Sequence, residues 1–139
     1  MKERAQKSIE LLQDLIKIQS YSGEEAGTGD IIQDFLKNEG VDTQRIHNNI
    51  IARSKFFDPK QKTIILNSHH DTVKVGQGWT KDPLGAEISE GKLFGRGSND
   101  AGGCLVALIA TFCHFYDMVL GFNLMLIASG EEENFGPQG

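Results

Sequence analysis

No stretch of the 139-residue sequence is apolar for long enough to cross a bilayer, which takes about 20 consecutive apolar residues. The amino-terminal MKERAQKSIELLQDLIKIQS scatters acidic residues among its apolar ones, which argues against a secretory signal. Basic residues are in deficit, with 14 Lys and Arg against 19 Asp and Glu and a net charge of −5, and they form no cluster. Neither nucleic acid nor a membrane is therefore an expected partner. Internal repeats and low-complexity segments are absent. Cysteine is scarce. Cys104 and Cys113 stand nine residues apart in a predicted helix, and at about 100° per residue they fall on opposite faces and cannot pair. Two buried free thiols in a reducing compartment are expected, which points to the cytoplasm.

What is present is an ordinary globular composition, 39% hydrophobic and 24% charged, in a chain long enough for one real core. Ile9, Leu11, Leu12, Leu15, Ile16 and Ile18 form the apolar face of a helix over residues 5–19. A second helix, capped by Thr28 or Asp30, carries Ile31, Ile32, Phe35 and Leu36 and stops at Gly40. Residues 43–46 and 49–53, joined near Asn48 and Asn49, read as a hairpin or a bent strand, and 56–62 as a polar turn. The run Ile64-Ile65-Leu66 predicts a buried strand, as does 122–127. Between them, 86–94 predicts a tight hairpin turning at Glu90 and Gly91, and GRGSNDAGG (95–103) opens a helix bearing Leu105, Leu108, Ile109 and Phe112. Alternating helices and strands predict an α/β sandwich with a mixed sheet, whose sites form at the carboxyl ends of strands.

The polar residues at those ends carry the chemistry. The first strand runs into Asn67-Ser68-His69-His70-Asp71, and its period of two points His69 and Asp71 one way and His70 the other. Imidazole beside a carboxylate able to hold its second ring nitrogen is a common pair at a metal. Asp100 sits in the glycine-rich loop, and Glu131, Glu132 and Glu133 follow the last strand. Gathering these carboxylates without cations would be costly through like-charge repulsion. Two divalent metals, roughly 3.5–4 Å apart in hydrolases that use a pair, would resolve it. Imidazole and carboxylate donors without thiolate suit zinc, and also cobalt or manganese.

HHDTV, GRGSNDAGG and SGEEE, in this order and spacing, resemble the three amino-terminal signatures of the M20 family of metallopeptidases and deacylases. The intervening GWTKDPLGAEISEGKLFGRG resembles the family's connection, and within the family the likeness is greatest to acetylornithine deacetylase. The resemblance implies a three-layer α/β/α zinc-exopeptidase-like catalytic domain with a mixed sheet, of which residues 1–139 are the N-terminal portion. It implies His69 as ligand to one metal, Asp71 as the carboxylate that steadies it, and Asp100 as the bridge, with a cis bond to Ala101. Glu132 becomes the ligand to the second metal. Glu131 becomes the general base that takes a proton from the attacking water and returns it to the leaving amine. Two zinc ions per full site and removal of an acyl group from an N-acylated amino acid, in arginine biosynthesis, follow, in a cytoplasmic homo-oligomer, a dimer.

Two departures qualify that expectation. Asp100-Ala101-Gly102-Gly103 lacks the lysine usual in the family's loop, which is not a ligand. The remaining ligands and a lid domain would lie beyond Gly139, so this chain is expected to bind metal weakly and not to turn over. The M28 aminopeptidases share a similar ligand pattern and form the rival enzyme reading; a truncated, non-catalytic fold unit is the rival of another class. His70 is expected to be a packed, hydrogen-bonded histidine, and His47 and His114 surface residues. Glu133 reads as a solvated carboxylate at the mouth, Trp79 as a loop anchor against the core, and Glu24 and Glu25 as an exposed pair ahead of a helix. The glycines of 95–103 lack the Walker lysine and the Rossmann spacing, so they do not mark a phosphate cradle.

Overall fold

A computed structural model describes residues 2–139. Helix α1 (Lys2–Lys17) turns its Leu11, Leu12, Leu15 and Ile16 face inward, and α2 (Ala26–Asn38) buries Ile32 and Leu36. Strands β1 (Thr43–Ile46) and β2 (Asn49–Arg53) form the expected hairpin. Strand β3 (Thr63–His69) is followed by a long irregular connection, a small hairpin of β4 (Glu87–Ser89) and β5 (Lys92–Phe94), and a kinked turn over Ser98–Gly103. Helix α3 (Cys104–Phe115) and strand β6 (Asn123–Ser129) complete the fold.

The main sheet has the order β1-β2-β6-β3, antiparallel except for the parallel pair β3 and β6. It is thus the mixed α/β sheet that was expected. In β6, Leu124, Leu126 and Ala128 are buried, and Ile50 and Ala52 of β2 lie on the same face. This face packs in one cluster with Leu12 and Ile16 of α1, Ile32 and Leu36 of α2, and Ile109 and Phe112 of α3. The opposite face, with Ile51, Met125 and Ile127, is only partly buried.

Three local expectations are corrected. Ile64 and Ile65 are 47% and 54% exposed rather than buried, because β3 pairs with β6 alone and stands at the sheet edge. Helix α2 starts at Ala26, ahead of Thr28 and Asp30, and Glu25 at its start is fully buried rather than part of an exposed pair. The cysteines are free but not both buried: Cys104 opens α3 on its exposed side and Cys113 is half-buried. Burial pushes the Cys113 thiol up to about 11. A thiol reagent at neutral pH is therefore expected to modify Cys104 rapidly and Cys113 only after denaturation; two equally fast thiols in the native chain would contradict the packing of α3.

Candidate metal centre

Parallel pairing puts the carboxyl ends of β3 and β6 side by side, with His69 opposite Ser129. The two exits are tied at once, since His70 N donates to Ser129 O at 2.9 Å. His69 is buried, and its Nδ1 donates to the Asp71 carbonyl at 3.1 Å, with Asp71 Oδ1 at 3.3 Å. That fixes the ring and turns Nε2 toward Asp100 Oδ1 at 3.1 Å and Glu132 Oε2 at 3.7 Å. Burial alone would lower the His69 pKa. The hydrogen bond to the Asp71 carbonyl, the Asp100 carboxylate and the charges of Asp71 and Glu132 outweigh burial and raise it above the ordinary imidazole value.

Asp71 has no exposed surface. Its carboxylate accepts hydrogen bonds from Ser22 Oγ at 2.7 Å, Glu132 N at 3.1 Å and Glu133 N at 3.0 Å. The residue thus serves two places. Its backbone carbonyl, rather than the carboxylate expected from the sequence, takes the His69 N–H. The carboxylate, 3.3 Å from that nitrogen, holds the turn that follows β6. His70 points the other way, as the period of two requires. Burial lowers its pKa, and in the neutral ring Nε2 donates to Asn48 O at 3.0 Å while Nδ1 accepts from Thr28 Oγ1 at 2.8 Å. It is a packed histidine. His47 and His114 are exposed.

Asp100 reaches His69 through close packing of the glycine-rich loop. A side chain on Gly97 (φ +77°) would meet Thr72 Cγ2 at 2.7 Å, and one on Gly102 would meet Gly97 O and Leu12 Cδ1 at 2.6 Å. Close packing against backbone and side chains leaves no room for a Cβ at either position. The Asp100–Ala101 peptide bond is cis, as the family resemblance implies.

Ligand atoms of His69, Asp100 and Glu133 converge within 4.8 Å of one another. Glu133, expected as a solvated carboxylate at the mouth, is half-buried in this group. Its pKa is raised, first by desolvation and then by the neighbouring Asp100, Glu132 and Asp71 charges. Glu132 stands beside His69 but is exposed. Glu131 adopts a left-handed backbone (φ 55°), and its Oε2 accepts from Gln138 N at 3.3 Å. Trp79 is 44% exposed rather than anchored in the core. It lines an open groove of about 330 Å³ together with Val73, Arg96, Asp100 and Glu133. The connection around it forms no strand that could carry it inward.

The donor set fits a divalent metal. It offers one imidazole nitrogen and several carboxylate oxygens with no thiolate, and the neighbouring charges that add to desolvation in raising the Glu133 pKa are a repulsion a cation relieves.

Residues 65–139 match peptidase family M20/M25/M40. The chain belongs to this family. The M28 reading falls with that match. The chain is 34% identical over 137 residues to succinyl-diaminopimelate desuccinylase 2 of Ruegeria sp. (strain TM1040), spanning 94% of this chain and 35% of that protein. It is 36% identical over 130 residues to succinyl-diaminopimelate desuccinylase of Buchnera aphidicola subsp. Acyrthosiphon pisum, spanning 90% and 35%. The chain thus spans about a third of the length of these curated relatives. Among solved structures it resembles an M20 family metallo-carboxypeptidase from Sulfolobus solfataricus (TM-score 0.74, 26% identity, 96% of this chain and 32% of that one). A dinuclear metal binding peptidase of the M20 family from Bacillus subtilis shares the fold (TM-score 0.71, 16% identity, 96% and 37%).

Because Asp71 gathers a hydroxyl and two backbone amides, Asp71→Asn would set an amide NH₂ against one of those donors. Its unfolding free energy is expected to fall by about 2 kcal/mol in chemical denaturation. An unchanged midpoint would show that the carboxylate does not hold the turn.

Proposed function

We propose that the chain is the N-terminal, metal-binding portion of an amidohydrolase that removes an acyl group from an N-acylated amino acid. One observation carries the reading. The buried His69 Nε2 faces the Asp100 and Glu132 carboxylates while Nδ1 is committed to the Asp71 carbonyl, so a cation belongs between them. His69, Asp100 and either Glu132 or Glu133 would hold that cation. The relatives support the substrate class: two desuccinylases of an amino acid align over nearly the whole chain.

When bound, a pair of divalent metals, zinc by the donor chemistry and cobalt or manganese as substitutes, polarises the scissile carbonyl and lowers the pKa of water. The chain's own residues do the rest. Asp71 holds the His69 ring through backbone and carboxylate, so that Nε2 is presented without rotation. Glu131 is the general base in this proposal, accepting a proton from the attacking water at a carboxylate oxygen and delivering it to the leaving amine. Its carboxylate must leave the Gln138 amide to do so. The groove beside Trp79 and Asp100 is the place for the acyl-amino acid.

Among acyl groups, succinyl takes precedence over acetyl, because the named relatives are desuccinylases; the acetylornithine assignment is the second arm of the same test. The proposal includes a cytoplasmic homodimer. Among the described residues no helix is long and apolar enough to cross a membrane.

The test compares the 139-residue chain with a polypeptide extended to the length of the relatives. Each is loaded with zinc or cobalt and offered N-succinyl-diaminopimelate and N-acetylornithine, with amine release as readout. The extended protein is expected to hydrolyse one of them and to lose activity on chelation. Glu131→Gln should lower its kcat by at least about 100-fold. The short chain is expected to bind zinc weakly and not to turn over. Release of amine from free peptides only, or full activity after metal removal, would reject the assignment.

A further inference from the structure

Glu25 is the least expected residue near the metal centre. It stands at the start of α2, yet its side chain makes no capping bond to that helix and has no exposed surface. Its Oε1 accepts from Gly23 N at 2.6 Å and from Glu131 N at 3.0 Å, and its Oε2 accepts from Asn48 Nδ2 at 2.8 Å. Asn48 is held in turn, since its Oδ1 accepts from Arg45 Nη2 at 3.0 Å. Arg45 Nη2 also donates to Ala26 O, and its Nη1 pairs with Asp30.

This network ends on the carboxylate-bearing turn. Gly130 N donates to Asn49 Oδ1 at 3.1 Å and Glu131 N to Glu25 Oε1, while the next two amides go to Asp71. The Gly130 backbone runs so close to Glu25 that a Cβ there would lie 3.3 Å from its carboxyl carbon. On the other side, the Asn48 carbonyl holds His70, the chain neighbour of His69. The turn between β1 and β2 therefore reaches the exits of both β3 and β6.

We propose that Glu25, oriented by Asn48, is a positioning residue that sets where Glu131, Glu132 and Glu133 stand relative to His69 and Asp100. It touches neither metal nor substrate. It acts by fixing the left-handed Glu131, the first of the three carboxylate-bearing residues. Asp71 grips the far part of the turn, and Glu25, with Asn49 beside it, grips its start. The inference rests on the metal reading above.

Zinc affinity of the chain, measured by competition with a chelator, and hydrogen exchange of the amides of residues 130–133 without metal test it together. Glu25→Gln places an NH₂ against Asn48 Nδ2. It is expected to weaken zinc binding by about 10-fold or more and to speed exchange across the turn. Glu24→Gln removes the same charge from an exposed neighbour and should change neither. The double variant E25Q/N48D reverses donor and acceptor between the two side chains. It leaves Oε1 of residue 25 for Gly23 and Glu131 and a carboxylate oxygen at position 48 for Arg45, so it should recover both readouts. If Glu25→Gln does not fold, Asn48→Ala, which frees the Glu25 carboxylate without removing it, takes its place.

Zinc affinity and exchange in Glu25→Gln equal to those of the parent would overturn the inference. So would a double variant no better than the single, because the restored pairing between positions 25 and 48 would then not set the turn. A parent chain that binds no zinc at all would instead overturn the metal reading. Exchange at 130–133 would then still judge the hold of Glu25 on the turn.

Discussion

Three consecutive backbone N–H groups, those of Glu131, Glu132 and Glu133, end on two buried carboxylates, and the site depends on that capture. Successive amides pointing one way make a concave, electropositive cradle of the kind that commonly receives an anion. Here the chain supplies its own anions, Glu25 and Asp71, from two segments far apart in sequence. The exchange is mutual: the buried carboxylates need donors, and the amides leaving the end of a strand need acceptors. The turn is thereby held in a left-handed start that β6 by itself would not impose.

The rest of the fold serves to bring those segments together. Parallel pairing of β3 with β6 sets the two strand exits side by side. Helix α2 begins where it does so that Glu25 enters the core beside Gly130. The β1–β2 turn contributes Asn48 and Asn49, and the loop before α3 is packed so tightly against Thr72 and Leu12 that only glycine serves at 97 and 102. Asp100 is thus delivered to His69 by close packing of the loop.

Much of this was legible from residue order. The alternation of side chains along β3 separates His69 from His70, and the structure places one at the carboxylate cluster and the other against Thr28 and Asn48. The apolar run in β6, the hairpin between 43–46 and 49–53 and the turn at Glu90–Gly91 follow from local pattern and turn chemistry. Glu25 was not legible, because a glutamate after Ser-Gly-Glu reads as solvent-exposed and nothing nearby in sequence announces three N–H donors waiting for it. The exposure of Ile64 and Ile65 was equally hidden, since an apolar triplet looks the same in a central strand and in an edge strand.

By itself the sequence determined which chemistry this chain can hold: imidazole and carboxylates at strand ends, no thiolate among them, and glycines where the backbone must pass closely. Local periodicity suffices for that, because strand alternation and helix spacing act over a few residues. Only the tertiary structure decided which carboxylates gather at His69 and which are spent on backbone amides. Glu133 joins His69 and Asp100, while Glu25 and Asp71 are buried as acceptors for backbone amides. Whether a carboxylate faces a cation or a peptide N–H depends on which distant segment packs against it, and no short-range pattern records that.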